Sequence, residues 1–449
     1  MFAGNVRLKL SAMMFLQFFI WGAWFELGFD YIPSLGFTST QNAWIFTAFN
    51  IGALVALFFS AQFADRNFAA EKFLAFSHLI GGLALLGLYA LHPSPGQKAE
   101  FFPFFGLMLL YSLFYVPTIS ITNSIAFAAM NDPARQFGPV RVWGTIGWIV
   151  ASWPFIFLLV DWDKVNAMPA DGVLGRVENI LDKSVALSGV ALDKGRSLLF
   201  LVAGLAALVL AAFSLTLPHT PPKPARGEDS LAWLKAMKLL RHPFVLVLFI
   251  VTFIDAAVHQ SFFVLTPGFL GAKVEDGGVG IAANWVAPVM KIGQIAEIVT
   301  MLFLGTVLKT FGWRITMIVG VLGHAARFAV FAYAPAGIPE FAYIACILVN
   351  VLHGICYAFF FATVYIFVDE YFPKDIRSSA QGLFNVLILG FGPFLANFAI
   401  GALIKEYQPA VRHNYTPVFE YVLAAASLGA IILFLFFHPR KSELSESER

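Results

Sequence analysis

Lys291, Gln294 and Glu297 recur at every third residue inside a stretch that is otherwise uncharged and mostly apolar from Ile281 to Leu308. On a helix that spacing stacks them into one column about 9 Å tall, since each residue rises about 1.5 Å. An ammonium, an amide and a carboxylate at bilayer depth cost several kcal/mol unless they meet a wet cavity or a partner, so the column marks a candidate functional site. A carboxylate beside an amide suits vicinal hydroxyls, and Lys291 or Arg141 nearby would keep Glu297 ionised. The competing reading is a polar clamp between helices.

Other stretches carry similar groups. Asp255 and His259 stand at i and i+4, with Gln260 next in the chain. That arrangement can pass or hold a proton, because histidine titrates near neutrality; if the span ended early, both would simply meet extracytoplasmic water. His353 and Tyr357 share a face one turn after Asn350, where they can stack on a flat polar ring or be satisfied within a core. Arg141 cannot shed its proton and needs acceptors, either a carboxylate of a neighbouring span or a ligand in a cavity. Behind it, Gly144, Thr145 and Gly147 permit close approach of helices. Gln17 and Trp21 fall at i and i+4, and Tyr111, Tyr115 and Asn123 lie near Pro117. With 50 phenylalanines in 449 residues, the number of aromatics carries no functional signal.

The elements that position these groups must be membrane spans. The chain is 59% hydrophobic and 12% charged, about half the charged fraction of a soluble globular domain. A net charge of +2 and the lack of a basic run argue against nucleic acid as a partner. The sequence holds no phosphate-cradling glycine loop, metal-ligand cluster or nucleophile triad, so ATP-driven transport and hydrolysis lack their residues, and neither an enzyme nor a cofactor is implied. Cys346 and Cys356 stand about 15 Å apart along one expected helix, too far for a disulfide. Arg7 and Lys9 precede an apolar stretch longer than a signal-peptide core, which reads as the first span.

Twelve stretches are long enough to cross a bilayer, at 9–33, 41–63, 72–91, 101–129, 139–160, 197–217, 243–269, 282–308, 314–335, 340–369, 379–404 and 417–438. Six fall on either side of the proline-rich polar stretch Pro218 to Arg241. The expected organisation is an all-α membrane protein with an N-terminal six-helix half over 1–217, a cytoplasmic linker over 218–242, a second six-helix half over 243–438 and a cytoplasmic tail over 439–449. Loops on the N-terminal side carry most of the Lys and Arg, which places both termini in the cytoplasm. Two pseudo-symmetric halves of six are the architecture of the major facilitator class. Arg141-Val-Trp-Gly144-Thr145-Ile-Gly147 and Arg377-Ser-Ser-Ala380-Gln381-Gly382 open spans five and eleven alike, and Ala64-Asp65-Arg66 with Glu71-Lys72 looks like a reduced form of that class's cytoplasmic loop signature.

At these residues the chain resembles the bacterial nucleoside:proton symporter family of the major facilitator superfamily. The matching strings are Phe15-Leu-Gln17-Phe18 with Trp21-Gly22 and Trp24, Tyr115-Val-Pro117-Thr118, the Arg141 to Gly147 segment, Leu215-Thr216-Leu217-Pro218-His219, Gln294-Ile-Ala-Glu297, Arg327-Phe328-Ala-Val-Phe331-Ala332-Tyr333 and Ser379-Ala380-Gln381-Gly382. The resemblance implies uptake of nucleosides with protons, through alternating access around a central site, by a monomer in the bacterial inner membrane. It places substrate contacts at Arg141, Thr145, Trp148, Gln260, Gln294 and Glu297. His353 and Tyr357 stand where the family has tyrosine then phenylalanine, Phe263 where it has asparagine, and Ala358 where it has a span-ten aspartate implicated in coupling. Lys291 and Asp255 occupy positions uncharged in the family pattern. Proton coupling is expected from Asp255 or Glu297, with His259 or His353 beside them. A facilitator, or a symporter of another small polar solute such as a sugar or modified nucleoside, is the alternative.

Overall fold

The computed structural model describes residues 4–56, 68–222, 237–337, 339–372, 377–407 and 414–439. The end of the expected second span, the Ala64-Asp65-Arg66 turn, most of the expected linker and nearly all of the expected tail lie outside the described residues. Among those described there is no strand, only an isolated bridge between Val160 and Ala186. Among the described residues, ten helices are long and apolar enough to cross a membrane by length and composition. Two features separate this number from the twelve expected. Ser39–Val55 has only 17 described residues, and the 51 residues of Ala283–Tyr333 run together, although Gly312 turns the backbone inside them (φ 73, ψ 175). Only glycine adopts that conformation freely, so Gly312 supplies the corner between expected spans eight and nine.

Contacts divide the chain into two compact units, one formed by Met1–Pro224, Leu270–Ala272 and Gly280–Val289, the other by Ala225–Phe269, Lys273–Val279 and Met290–Arg449. In the first unit Gly4–Ser34 is the central helix, and its Gln17 and Trp24 anchor the polar part of the core. The Gln17 amide donates to Thr118 Oγ1 (2.7 Å) and accepts from His78 Nε2 (2.8 Å), while Tyr115 Oη donates to its carbonyl (2.6 Å). Trp24 Nε1 donates to Tyr111 Oη (2.9 Å). These bonds pair buried polar groups with one another, as burial in an apolar medium favours. Thr38 starts the next helix with a capping box: its hydroxyl accepts from Gln41 N (3.2 Å) and its own N–H reaches Gln41 Oε1 (2.9 Å).

Expected span five is in fact two pieces, Pro133–Val150 and Trp153–Leu158. Expected span six begins earlier than its apolar run, as Gly189–Ser214, so Asp193, Lys194 and Arg196 ride on a helix rather than in a loop. Arg196 finds its partner in Asp30 of the first helix, which explains how a charged turn is tolerated there. The stretch between these helices, expected as one long loop, folds into short helices Trp162–Ala167 and Gly172–Leu181 over a small core of Val160, Val165 and Val185.

In the second unit, Pro243–Gly271, Ile292–Tyr333, the segments of expected span ten and Tyr415–Phe436 surround a core that includes Leu248, Val251, Met317, Val321, Phe360, Phe361 and Val364. Spans ten and eleven are not regular α-helices. Each holds a π-helical stretch, Tyr357–Ala362 and Val386–Phe391. The Thr363 hydroxyl turns back to the Ala358 carbonyl (3.1 Å).

Candidate functional site

The polar column sits at a helix break that the sequence reading did not anticipate. Ala283–Met290 ends just before Lys291, and the next helix begins at Ile292. Lys291 (φ −66, ψ −14) caps the new helix, its carbonyl accepting from Ile295 N (3.1 Å). Pro288 before the break lacks a main-chain donor, and Gly293 after it adds no side-chain support, so the ladder is weak on both sides of Lys291. Gln294 and Glu297 then follow three residues apart on the new helix. Lys291 and Gln294 are buried, whereas Glu297 is half-buried. The Gln294 Oε1 atom has no hydrogen-bond donor among the described residues.

Expected span ten packs directly on this turn. A Cβ added to Gly293 would lie 2.8 Å from the His353 Cβ, and one added to Gly354 would lie 2.2 Å from the main-chain nitrogen of Glu297. Backbone therefore meets backbone at Gly354, an approach that only glycine permits.

His353 belongs to a fully buried polar cluster. Arg327, at 0% exposure, donates from Nη1 to His353 Nδ1 (2.9 Å) and from Nη2 to His324 Nδ1 (2.8 Å). His324 Nε2 lies 3.7 Å from Asp255 Oδ2. The Arg327 guanidinium also covers the Phe262 ring at 4.0 Å, a contact worth about 0.5–2 kcal/mol or more when desolvated. His259 stacks on His353 with centroids 4.9 Å apart and lies 6.2 Å from Tyr357. Gln260 donates to Asn397 Oδ1 (3.0 Å). The structure thus gathers Asp255, His259, His353 and Tyr357, and places Gln294 and Glu297 against the helix that carries His353.

Sequence reasoning gave no role to His324 or Arg327. The available signal was their i,i+3 spacing in an apolar stretch, a histidine and an arginine on one face of expected span nine. Asn397 and the buried carboxylate of Glu26, 1% exposed in the first helix, were likewise passed over.

In the first unit Arg141, Thr145 and Trp148 follow one another along Pro133–Val150 and are half-buried. The Arg141 guanidinium lies 4.1 Å from the centroid of Phe18. Trp148 meets Trp21 edge-on (5.0 Å), and Trp21 stacks on Phe49 (4.7 Å). Gly147 lets the helix lie against Phe15, whose carbonyl oxygen would be 2.1 Å from an added Cβ. Trp21 Nε1 has no acceptor among the described residues.

No group of three or more His, Cys, Asp or Glu side chains suited to a metal ion occurs among the described residues. A sequence profile of the nucleoside H+ symporters matches residues 4–170 and 163–442, nearly the whole chain. The protein belongs to the nucleoside H+ symporter family. YegT of Escherichia coli, whose name gives it as a candidate nucleoside transporter, is 32% identical over 97% of this chain and 95% of its own. The xanthosine permease of Escherichia coli is 26% identical over 96% of each. The crystal structure of the nucleoside transporter NupG superposes with a TM-score of 0.78 at 24% identity, covering 97% of this chain and 100% of that one. At that identity the superposition establishes the fold alone, an all-helical one of the major facilitator kind. Family and structural neighbours are transporters, and the chain is a membrane transporter rather than an enzyme.

Proposed function

We propose that this chain imports nucleosides by proton symport through alternating access. Twelve spans in two halves, 1–217 and 243–438, are joined by a cytoplasmic linker over 218–242 and followed by a cytoplasmic tail over 439–449. The protein works as a monomer in the bacterial inner membrane with both termini in the cytoplasm.

Gln294 and Glu297 grip the ribose hydroxyls. The observation that carries this assignment is the Oε1 atom of Gln294, a residue 5% exposed, which has no donor among the described residues, beside a half-buried carboxylate on the same face. Two acceptors three residues apart are matched by two vicinal O–H donors. In the same unit Tyr357 and His353 offer ring faces to the base, and Gln260 an amide. In the other unit Arg141 and Thr145 bond polar edges, and Trp148 supplies a stacking face. Asp255 or Glu297 provides the acidic member of the proton path, with His259 adjacent. The test is binding of uridine and adenosine to Gln294→Ala and Glu297→Ala; parental affinity in both variants overturns the assignment.

One observation favours a facilitator instead. Ala358, 0% exposed, stands where the family carries its span-ten aspartate. Uptake into proteoliposomes that ignores a pH gradient would establish that reading, and counterflow with a panel of nucleosides, free bases and sugars would name the solute.

A further inference from the structure

The fork of Arg327 fixes the protonation of two histidines. A guanidinium only donates, so the His324 and His353 Nδ1 atoms that it bonds at 2.8 and 2.9 Å are both acceptors. Each neutral ring therefore carries its hydrogen on Nε2. For His324 that N–H lies 3.7 Å from Asp255 Oδ2, and neither oxygen of this wholly buried carboxylate has a hydrogen bond among the described residues. A proton arriving at His324 Nδ1 and the Arg327 N–H compete for one lone pair.

We propose that His324, with Asp255 as its counter-ion, is the proton-binding residue of this symporter, and that Arg327 transmits its state to His353. The inference rests on the reading of the protein as a proton-coupled importer. A proton from water forms a new N–H bond at Nδ1, and the hydrogen bond from Arg327 to that atom is lost. The imidazolium then presents Nε2–H to the Asp255 carboxylate, a charge-assisted pair in place of a neutral contact. The charge of the cluster rises by one, and Arg327 is left bound to His353. Because His353 abuts Gly293, a displacement at its ring reaches the turn that bears Gln294.

The surroundings are consistent with a single proton site. Pro243–Gly271 contributes Asp255 and His259, and span ten contributes His353, Cys356 and Tyr357. The helix of His324 itself contributes Arg327 and Glu297, with Lys291 at its cap, whose charge acts on His353. Tyr415–Phe436 adds no charge to the cluster, since its Glu420 is exposed and accepts from Tyr333 Oη (3.1 Å). Asp255 Oδ2 is thus the carboxylate oxygen that faces His324 Nε2 in this group.

The test uses the full chain in proteoliposomes and compares, for the parent and His324→Gln, nucleoside accumulation driven by a pH gradient with counterflow exchange. The ratio of the two should fall about tenfold in the variant, and the dependence of nucleoside affinity on pH should flatten between about pH 5 and 8. A variant that keeps both the parental ratio and the parental pH profile overturns the proposal. If His324→Gln does not fold, Asp255→Asn takes its place with the same two outcomes, because removal of the counter-ion removes the reason for His324 to charge. A parent that shows no response to the gradient overturns the import reading itself, which separates that failure from a wrong choice of residue.

Discussion

Gly354 and Glu297 meet backbone to backbone: the methyl that glycine lacks would lie 2.2 Å from the Glu297 nitrogen. No side-chain rotation relieves such a contact, since both atoms are fixed to main chains. Gly354→Val should therefore push span ten off the turn that carries Glu297 and Gln294, at a cost of about 1–3 kcal/mol or more. Thermal unfolding in detergent should show a lower midpoint, with nucleoside binding lost in parallel. A variant as stable as the parent would show that the two helices separate freely.

Loss of either hydroxyl acceptor should be felt in affinity. Glu297→Ala and Gln294→Ala should each weaken nucleoside binding by about 1.5–3 kcal/mol, roughly ten- to hundredfold. The ribose assignment also predicts that 2′,3′-dideoxynucleosides bind the parent as poorly as ordinary nucleosides bind Glu297→Ala. Isothermal titration across the four combinations checks it.

Trp148 is expected to act through its ring face. Its edge-on contact with Trp21, 5.0 Å between centroids, holds the indole in place, a pair worth about 0.5–1.5 kcal/mol beyond burial. Trp148→Ala should then lose more affinity for nucleosides than Trp148→Phe does. Tryptophan fluorescence that changes with nucleoside in the parent and not in Trp148→Phe would place the ring at the substrate.

Outside the spans, His92 should make stability depend on pH. Its Nδ1 lies 2.8 Å from Tyr31 Oη, and burial first, then the charge of Lys194, holds its pKa below the ordinary histidine value, against the opposing pull of Asp193. A histidine depressed in the folded state binds fewer protons there than in the unfolded chain. Its contribution is intact above the ordinary pKa of about 6.5 and declines as the pH falls below it. His92→Gln should flatten the fall in unfolding midpoint on acidification from about pH 7 to 5, measured by scanning fluorimetry.

Much of the candidate site is legible in the sequence because charge is expensive in an apolar span. Arg141, Asp255, Lys291 and Glu297 stand out by type alone, and the apolar run 101–129 coincides with the helix Phe101–Ala129. What stayed hidden depends on chain crossings. Arg327 joins His324, three residues away, to His353, 26 residues away, and nothing local to His324 points to Asp255 on another helix. The break at Lys291 was hidden for a different reason: the residues on either side suit a helix, and the interruption reflects the combined weakness of Pro288 and Gly293. The start of Gly189–Ser214 was misplaced because Asp193 and Arg196 look like loop residues until Asp30 is seen opposite Arg196.

The π-helical stretch Tyr357–Ala362 sets a frame for everything beyond it in span ten. A π turn accommodates one more residue than the α turn it replaces, so it is equivalent to a single-residue insertion that the helix has absorbed without breaking. Taking that residue out would restore an α-helix and swing each later side chain about 100° around the axis. Val364 and Phe367, now buried in the core, would leave it together, while His353 and Gly354 on the near side would keep their places. The stretch is thus a register joint, separating the part of the helix whose phase serves the polar cluster from the part whose phase serves the apolar core.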